Sequence, residues 1–245
     1  MPKLTVKANQ SELSRYAAEF FVSTANRAID EGGRFTVSLS GGSTPKALYR
    51  LLASDEFADQ IEWPKVFFFF GDERFVPADS SDSNFRMVNE SLFRPLRVAE
   101  QNIFHWKTEF DNPDDAAADY ETRIIDFFGL ASGEFPIFDL MLLGLGDDGH
   151  TASLFPGTRA LSVTDRIAVA NCVEKLDAFR LTMTFPVINN SSVAAFLVSG
   201  ESKADVLARI IDEQATDLPA AQVRPTSGDL HWLIDTSAAS NLQST

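Results

Sequence analysis

Short apolar runs alternate with segments of helical periodicity along most of this chain. Residues 11–31 repeat apolar side chains at helical spacing and end at Gly32-Gly33, which predicts a long helix. Residues 66–70 are apolar throughout, as expected of a strand covered on both faces. The same criteria predict further strands at 35–39, 103–106, 138–143, 167–173, 180–185, 193–198 and 230–234, and helices at 45–53, 83–92, 113–128 and 202–212.

This alternation of strands and helices predicts an α/β protein. We expect a mostly parallel sheet with helices on both faces, in a Rossmann-like, doubly wound arrangement. No internal repeat, low-complexity stretch or Pro/Gly-rich linker divides the sequence, so residues 1–245 are predicted to form a single domain. Residues from Thr236 onward are small and polar, and we expect a loose tail there.

The composition is that of an ordinary globular protein with an acidic surface. Hydrophobic residues make up 44% of the chain, and 35 acidic against 21 basic residues give a net charge of −14. Nucleic acid and anionic membranes are therefore not expected as partners, because both favour a basic face. A small anionic molecule is still compatible, since a few well-placed Arg and Lys side chains can bind it locally.

Apolar runs in the sequence predict the cellular location and the roles of the single cysteine and of two histidines. No apolar run approaches the roughly 20 residues of a membrane helix, and the first residues lack the apolar core of a signal peptide, so a cytoplasmic location is expected. Cys172 is the only cysteine and lies in an apolar run, which predicts a buried structural thiol. His105 and His231 lie within apolar strands, where packing in the core or at an edge is the expected role.

A glycine turn follows the strand predicted at 35–39. Gly41 and Gly42 allow backbone amides to approach a ligand closely, and Ser43 and Thr44 add hydroxyl donors. Pro45 favours a helix start at this point, and the positive end of the helix dipole would face the turn. We interpret the segment as an anion site, although it lacks the ending of a Walker loop. The alternative is a simple turn with Thr44 capping the helix.

The segment after the strand at 138–143 is the strongest candidate for chemistry. It presents Asp147, Asp148 and His150 within four residues of one glycine turn. A histidine beside carboxylates is a candidate proton-transfer group, because a carboxylate can orient the ring and adjust its pKa. Asp148 is our candidate for that partner, but the sequence leaves the choice between the two aspartates open. The spacing matches no zinc or calcium pattern, so no metal is expected.

The same segment spells a dinucleotide-binding fingerprint that we reject. Gly144, Gly146 and Gly149 have the G-x-G-x-x-G spacing after a strand, but two aspartates between them would repel a pyrophosphate. A proline and a glycine at 156–157 also interrupt the long helix that the fingerprint requires. We therefore interpret these glycines as turn residues that allow positive φ, and expect no cofactor.

Further charged residues lie next to other predicted strands. Asp72, Glu73 and Arg74 follow the strand at 66–70, Arg180 begins a strand, and Lys203 follows the strand at 193–198. Side chains at the carboxyl ends of parallel strands share one crevice, where we expect the charges at 72–74 and Lys203. Arg180 is placed to reach the same crevice, so these groups are candidates for substrate binding. The alternative for each is an ordinary charge in contact with solvent.

Taken together, these loops resemble the 6-phosphogluconolactonase family, which is related to the glucosamine-6-phosphate deaminases. The resemblance extends from about residue 11 to residue 234 and is carried by these segments: Ser40-Gly-Gly-Ser-Thr-Pro45, Gly71-Asp-Glu-Arg74, Ser83-Asn84, Gly144-Leu-Gly-Asp-Asp-Gly-His-Thr-Ala-Ser-Leu-Phe-Pro156, Arg180-Leu-Thr, Gly200 to Lys203, and Leu218-Pro-Ala-Ala-Gln222. The resemblance implies hydrolysis of 6-phospho-D-glucono-1,5-lactone to 6-phosphogluconate, in the pentose phosphate pathway, without a metal or cofactor.

The resemblance also implies a division of roles. His150 would be the general base that activates water, Asp148 would orient it, and Arg74 or loop amides would stabilise the oxyanion. The expected binding residues are Gly41, Gly42, Ser43, Thr44, Arg180 and Lys203 for the phosphate and Asp72 for the sugar hydroxyls. Oligomeric state is left open, with a monomer favoured, and so is the preference between δ- and γ-lactones.

Two other functions are compatible with the same loops. A deaminase or isomerase would need the glutamate that the related deaminases carry, but this chain has Phe155 at that position. A non-catalytic sugar-phosphate sensor would not need a histidine placed as a base.

Overall fold

Two sheets and seven α-helices make up the part of the chain that the computed structural model describes, residues 2–243. The strands are β1 Lys3–Lys7, β2 Phe35–Leu39, β3 Val66–Phe70, β4 Asp72–Arg74, β5 Ile103–Phe104, β6 Leu140–Leu143, β7 Ala168–Val173, β8 Ala178–Met183, β9 Val193–Val198 and β10 Asp229–Asp235. The helices are α1 Gln10–Gly32, α2 Ser43–Leu52, α3 Asn84–Val88, α4 Arg94–Leu96, α5 Pro113–Phe128, α6 Phe185–Ile188 and α7 Ala204–Ile211.

The main sheet has seven strands in the order β1-β10-β9-β6-β2-β3-β5, and all of its pairings are parallel. The chain proceeds from β2 outward through β3 and β5, and then returns to the other side of β2 with β6, β9 and β10. The strand order therefore reverses between β2 and β6. Loops leaving adjacent strands diverge at such a reversal, and the crevice that they leave is where ligands bind in open α/β sheets.

The phenylalanines of β3 show how both faces of this sheet are covered. Phe68 and Phe70 lie 5.0 and 6.2 Å from the ring of Phe93, which belongs to the segment joining α3 to α4. Phe67 and Phe69 point the other way and lie 5.0 and 5.2 Å from Phe127 of α5. Successive side chains of a strand point to opposite faces, so an uninterrupted apolar run needs a helical layer on each side. The predicted doubly wound α/β class is confirmed.

The second sheet was not predicted. Its order is β4-β8-β7, and both pairings are antiparallel. Strand β4 consists of Asp72, Glu73 and Arg74, which have low strand propensity; their strand conformation comes from pairing with β8. This small sheet extends the loop after β3 over the carboxyl edge of the main sheet.

Several element boundaries differ from the predictions. Strand β1 was missed, the strand predicted at 103–106 has only two residues, and the strand predicted at 180–185 occupies Ala178–Met183. The helix predicted at 83–92 begins correctly, with Ser83 as its cap, but changes to a π-helical turn at Asn89–Phe93. The helix predicted at 45–53 begins two residues earlier, at Ser43.

Two predictions about packing are corrected. Cys172 is exposed rather than buried, because it lies on β7 of the small sheet, opposite the exposed Phe179. The tail expected from Thr236 is packed as far as the structure describes it: Ala238 and Ala239 are buried, and the Thr236 amide donates to the Lys7 carbonyl. Ser244 and Thr245 lie outside the described residues. Within residues 2–243, no helix has the length and apolar character needed to cross a membrane.

Candidate active site

The carboxyl ends of four neighbouring strands, β9, β6, β2 and β3, bring the predicted loops to one edge of the sheet. A cavity of about 400 Å³ opens there between the loop after β6 and the small sheet. This volume is within the range of small-ligand sites. The lining residues are Asp72, Arg74, Asp147, Asp148, His150, Ala152, Ser153, Phe155, Lys175, Leu176 and Arg180.

The ring of His150 is held by two neighbours. Its Nδ1 lies 2.5 Å from Oδ1 of Asp148, and its backbone amide donates to the same oxygen at 3.1 Å. The ring also stacks on Phe155, with 4.0 Å between the ring centroids. An ionised carboxylate can only accept, so Nδ1 carries the proton and Nε2 keeps its lone pair. The structure thus identifies Asp148, rather than Asp147, as the aspartate in contact with the histidine.

Gly146 makes this ring position possible. A Cβ at residue 146 would lie 2.0 Å from Nδ1 of His150, far inside contact distance, although the backbone there has no positive φ. Of the three glycines in the rejected fingerprint, only Gly149 has a positive φ, of 80°. The interpretation of all three as positive-φ turn residues is therefore wrong for Gly144 and Gly146. Close approach of a side chain is the reason for glycine at 146.

Burial is the main influence on the pKa of His150. It lowers the pKa below the ordinary value of 6.5, because a charged imidazolium would lose solvation. Asp72 and Asp147 act in the opposite direction, while Lys203 and Arg180 lower the pKa further. The neutral imidazole therefore predominates at pH 7, and this is the form that a general base requires.

Two lysines pair with the two aspartates of this loop. Nζ of Lys203 forms an ion pair with Asp147, and Nζ of Lys175 forms one with Asp148. The sequence predicted Lys203 as a site residue but missed Lys175. Lys175 lies on the turn between β7 and β8, so only the pairing of those strands brings it to the cavity. Predicting residues 168–183 as an antiparallel hairpin would have placed Lys175 in its turn, and so near the site.

The small sheet presents a row of charged groups to the cavity. Arg74 and Arg180 are directly opposite each other in the β4–β8 register, so their side chains share one face. Burial, and then the charge of Arg74, lower the pKa of Arg180. Asp72 lies on the same face and accepts a hydrogen bond of 2.7 Å from Oγ of Ser153. Two adjacent guanidinium groups on one cavity wall favour an anionic ligand.

Glu73 differs from its two neighbours and does not line the cavity. It points to the opposite face of β4 and is buried, and its carboxylate accepts from the backbone amides of Arg74, Asn84 and Phe85. Burial raises the pKa of Glu73, whereas these amide donors lower it. Its role is to fix the start of α3 against β4, so of the three consecutive charges only Asp72 and Arg74 belong to the site.

The glycine turn after β2 lies beside the cavity rather than in its lining. Gly42 has a φ of 106° and precedes α2 without a side-chain cap, so the alternative of a Thr44 cap is wrong. A Cβ on Gly41 would lie 1.9 Å from Oδ1 of Asn84, whose Nδ2 donates to the Asp72 carbonyl at 3.1 Å. Asn84 therefore links the glycine turn to β4. Ser43 is exposed and Thr44 is half-buried, in the first turn of α2.

The two remaining histidines pack against aromatic rings away from the cavity lining. His105 stacks on Phe85 and His231 packs against Phe20, and both are half-buried, as the packing prediction expected. Residues 2–243 contain no group of three or more His, Cys, Asp or Glu side chains arranged to hold a metal ion.

The fold and the site define an α/β protein with a neutral histidine–aspartate pair and a cavity suited to a small anion. Residues 8–232 match the family model described as glucosamine-6-phosphate isomerases/6-phosphogluconolactonase. The chain belongs to this family, and the resemblance inferred from its motifs is confirmed.

Individual relatives are similar over their whole length. The chain is 42% identical to a 6-phosphogluconolactonase of Synechocystis sp., with 99% of both chains covered, and 41% identical to one of Nostoc sp., with 97% of both covered. The solved 6-phosphogluconolactonase from Trypanosoma cruzi superposes with a TM-score of 0.88 at 32% identity, covering 99% of this chain and 97% of that one. A monomeric glucosamine-6-phosphate deaminase has a TM-score of 0.80 at 24% identity, covering 98% and 99%, which shows a shared fold.

Proposed function

We propose that this protein hydrolyses 6-phospho-D-glucono-1,5-lactone to 6-phosphogluconate, a step of the pentose phosphate pathway. Its full-length similarity to 6-phosphogluconolactonases supports this substrate. The contact that carries the chemical part of the proposal is the one between Nδ1 of His150 and Asp148, which leaves Nε2 as a proton acceptor at the cavity.

In the proposed reaction His150 acts as general base. Nε2 removes a proton from water as the water oxygen attacks the lactone carbonyl carbon, and a tetrahedral oxyanion forms. The bond from that carbon to the ring oxygen then breaks, and the imidazolium returns its proton to the leaving ring oxygen. Asp148 keeps the ring in the reactive tautomer and stabilises the transient imidazolium. A lactone is already an activated ester, so no covalent nucleophile is required.

The cationic groups around His150 have the charge to stabilise the oxyanion and to hold the 6-phosphate. We assign Arg74 to the oxyanion and Arg180 and Lys203 to the phosphate. Both Arg180 and Lys203 are near enough to His150 to lower its pKa, which supports placing the phosphate and the reacting carbon in one small ligand. The amides of Gly41 and Gly42 and the hydroxyls of Ser43 and Thr44 would complete the phosphate site, and Asp72 would bind sugar hydroxyls.

Proton release from freshly prepared lactone, corrected for its spontaneous hydrolysis, tests the proposal directly. The wild-type protein should accelerate hydrolysis, and His150→Gln should lower kcat by roughly 10²–10⁴-fold, the usual contribution of a general base. His231→Gln is the matched control, because His231 is also half-buried but lies on β10, outside the cavity lining. Near-normal turnover by the His150→Gln protein would disprove the mechanism.

The same preparation distinguishes the two other functions. Ammonia release from glucosamine-6-phosphate would identify a deaminase, but Phe155 packs against the face of His150 at the position where that chemistry needs a carboxylate. Saturable binding of 6-phosphogluconate without faster lactone loss would identify a sensor. Either result would replace the proposed reaction.

A further inference from the structure

The turn between β7 and β8 reaches into the candidate active site. Residues Glu174–Leu176 form this turn, which Asp177 closes with a φ of 46°. Lys175 and Leu176 line the cavity, and Nζ of Lys175 lies 4.8 Å from the centre of the Phe155 ring. The side chain of Lys175 therefore contacts residues 144–156, the loop after β6, which we call the reactive loop.

Asp148 lies between this lysine and the histidine. Its Oδ1 accepts from the amide and from Nδ1 of His150, whereas its Oδ2 pairs with Nζ of Lys175. The side chains of Asp148 and Lys175 are 32% and 50% exposed, so solvent weakens the pair without removing it. The carboxylate of Asp148 thus contacts the imidazole through one oxygen and the lysine through the other.

We propose that Lys175 is a positioning residue for lactone hydrolysis, which holds Asp148 in place and offsets part of its negative charge so that His150 remains neutral at the pH of the reaction. The inference rests on the proposed function. We assign neither phosphate binding nor oxyanion stabilisation to Lys175. It acts on the reaction through Asp148.

The charges around His150 explain why such an offset is needed. The groups that face it from all neighbouring segments are three carboxylates and four cations: Asp72, Asp147, Asp148, Arg74, Lys175, Arg180 and Lys203. A carboxylate in contact with the ring favours the imidazolium and thus raises its pKa. A cation bound to the far oxygen of that carboxylate reduces this effect and also repels the imidazolium directly. Removing the cation restores the full effect of Asp148 and ends the direct repulsion, and each of these changes raises the pKa of His150.

The test compares pH profiles of kcat/KM for the wild type, Lys175→Met and Lys175→Arg. The acid limb of Lys175→Met should move upward by roughly 0.5–1 pH unit, as expected for loss of one partly screened charge. Lys175→Arg keeps the positive charge, so the acid limb of its profile should lie at the wild-type pH. Lys65→Met is the matched control, since Lys65 forms an exposed ion pair with Glu62 outside the cavity lining.

A titration of the histidine ring protons by NMR measures the same shift without turnover. Only three histidines are present, so the His150→Gln spectrum assigns the signal. The proposal would be overturned if Lys175→Met changed neither the acid limb of the kcat/KM profile nor the pKa of the His150 ring. A raised KM with an unshifted limb would also overturn it and would make Lys175 a substrate contact. Absence of lactone hydrolysis by the wild type would refute the proposed function instead, and the NMR titration would still decide the role of Lys175.

Discussion

The substitution Gly146→Ala gives the sharpest test of how the reactive loop is built. The added Cβ would lie 2.0 Å from Nδ1 and 2.1 Å from Cε1 of His150, and atoms of this kind do not approach closer than 3.0 Å. The ring must therefore move by at least 1 Å, the difference between 3.0 and 2.0 Å. That movement breaks its contact with Asp148 and its stacking on Phe155.

For the general base that we propose, a displacement of this size reduces turnover by about 10²-fold, which is about 2.7 kcal/mol on the activation barrier. Lactone hydrolysis by the Gly146→Ala protein should fall accordingly, while its Tm stays close to the wild-type value because the ring can move toward the open cavity. Gly144→Ala is the matched control, since its Cβ would only make an ordinary contact of 3.5 Å with Ser40. Full activity of Gly146→Ala, or an equal loss in Gly144→Ala, would refute the reasoning.

Three further predictions use the same assay or thermal unfolding. Because burial lowers the pKa of His150, kcat/KM should be constant near neutral pH and should fall on acidification with a midpoint below 6.5; a midpoint above 6.5 would contradict the neutral base. Arg180→Ala should raise KM by roughly 10–100-fold through loss of one charge-assisted hydrogen bond, and an unchanged KM would exclude Arg180 from the phosphate site. Tyr120→Phe should lower the free energy of unfolding by about 1–3 kcal/mol without changing KM, because the buried hydroxyl accepts from the Phe70 amide and its single proton faces the Phe70 and Phe104 carbonyls, each at 3.1 Å. Calorimetry measures the loss, and unaltered stability would count against it.

The sequence was most reliable where a local pattern alone decides the structure. Helix α5 begins at Pro113 after the cap Asn112 and ends at Phe128 before Gly129, as the cap residues and the periodicity predicted. Strands β2, β3 and β9 have the predicted bounds because each is a short apolar run between turn residues. These signals lie within a few residues of the element that they define, so no distant contact is needed to interpret them.

Local patterns failed where pairing with a distant segment determines the conformation. Strand β4 is three charged residues that become a strand through β8, more than a hundred positions later. Cys172 lies in an apolar run but is exposed, because β7 pairs within the small sheet and leaves one of its faces uncovered. Strand β1 exists through its parallel pairing with β10 at the far end of the chain.

For the candidate site, local residue patterns were enough to identify the loops that carry reactive groups, since glycine turns at strand ends and the Asp147 to His150 segment can be read from the residues alone. Which of these groups meet became visible in the folded chain: Asp148 contacts the histidine, Asp147 pairs with Lys203, Glu73 turns away from the cavity, and Lys175 enters it. The direction of a side chain depends on strand register and on the pairing of remote segments. Residue type and spacing along the chain do not contain that information.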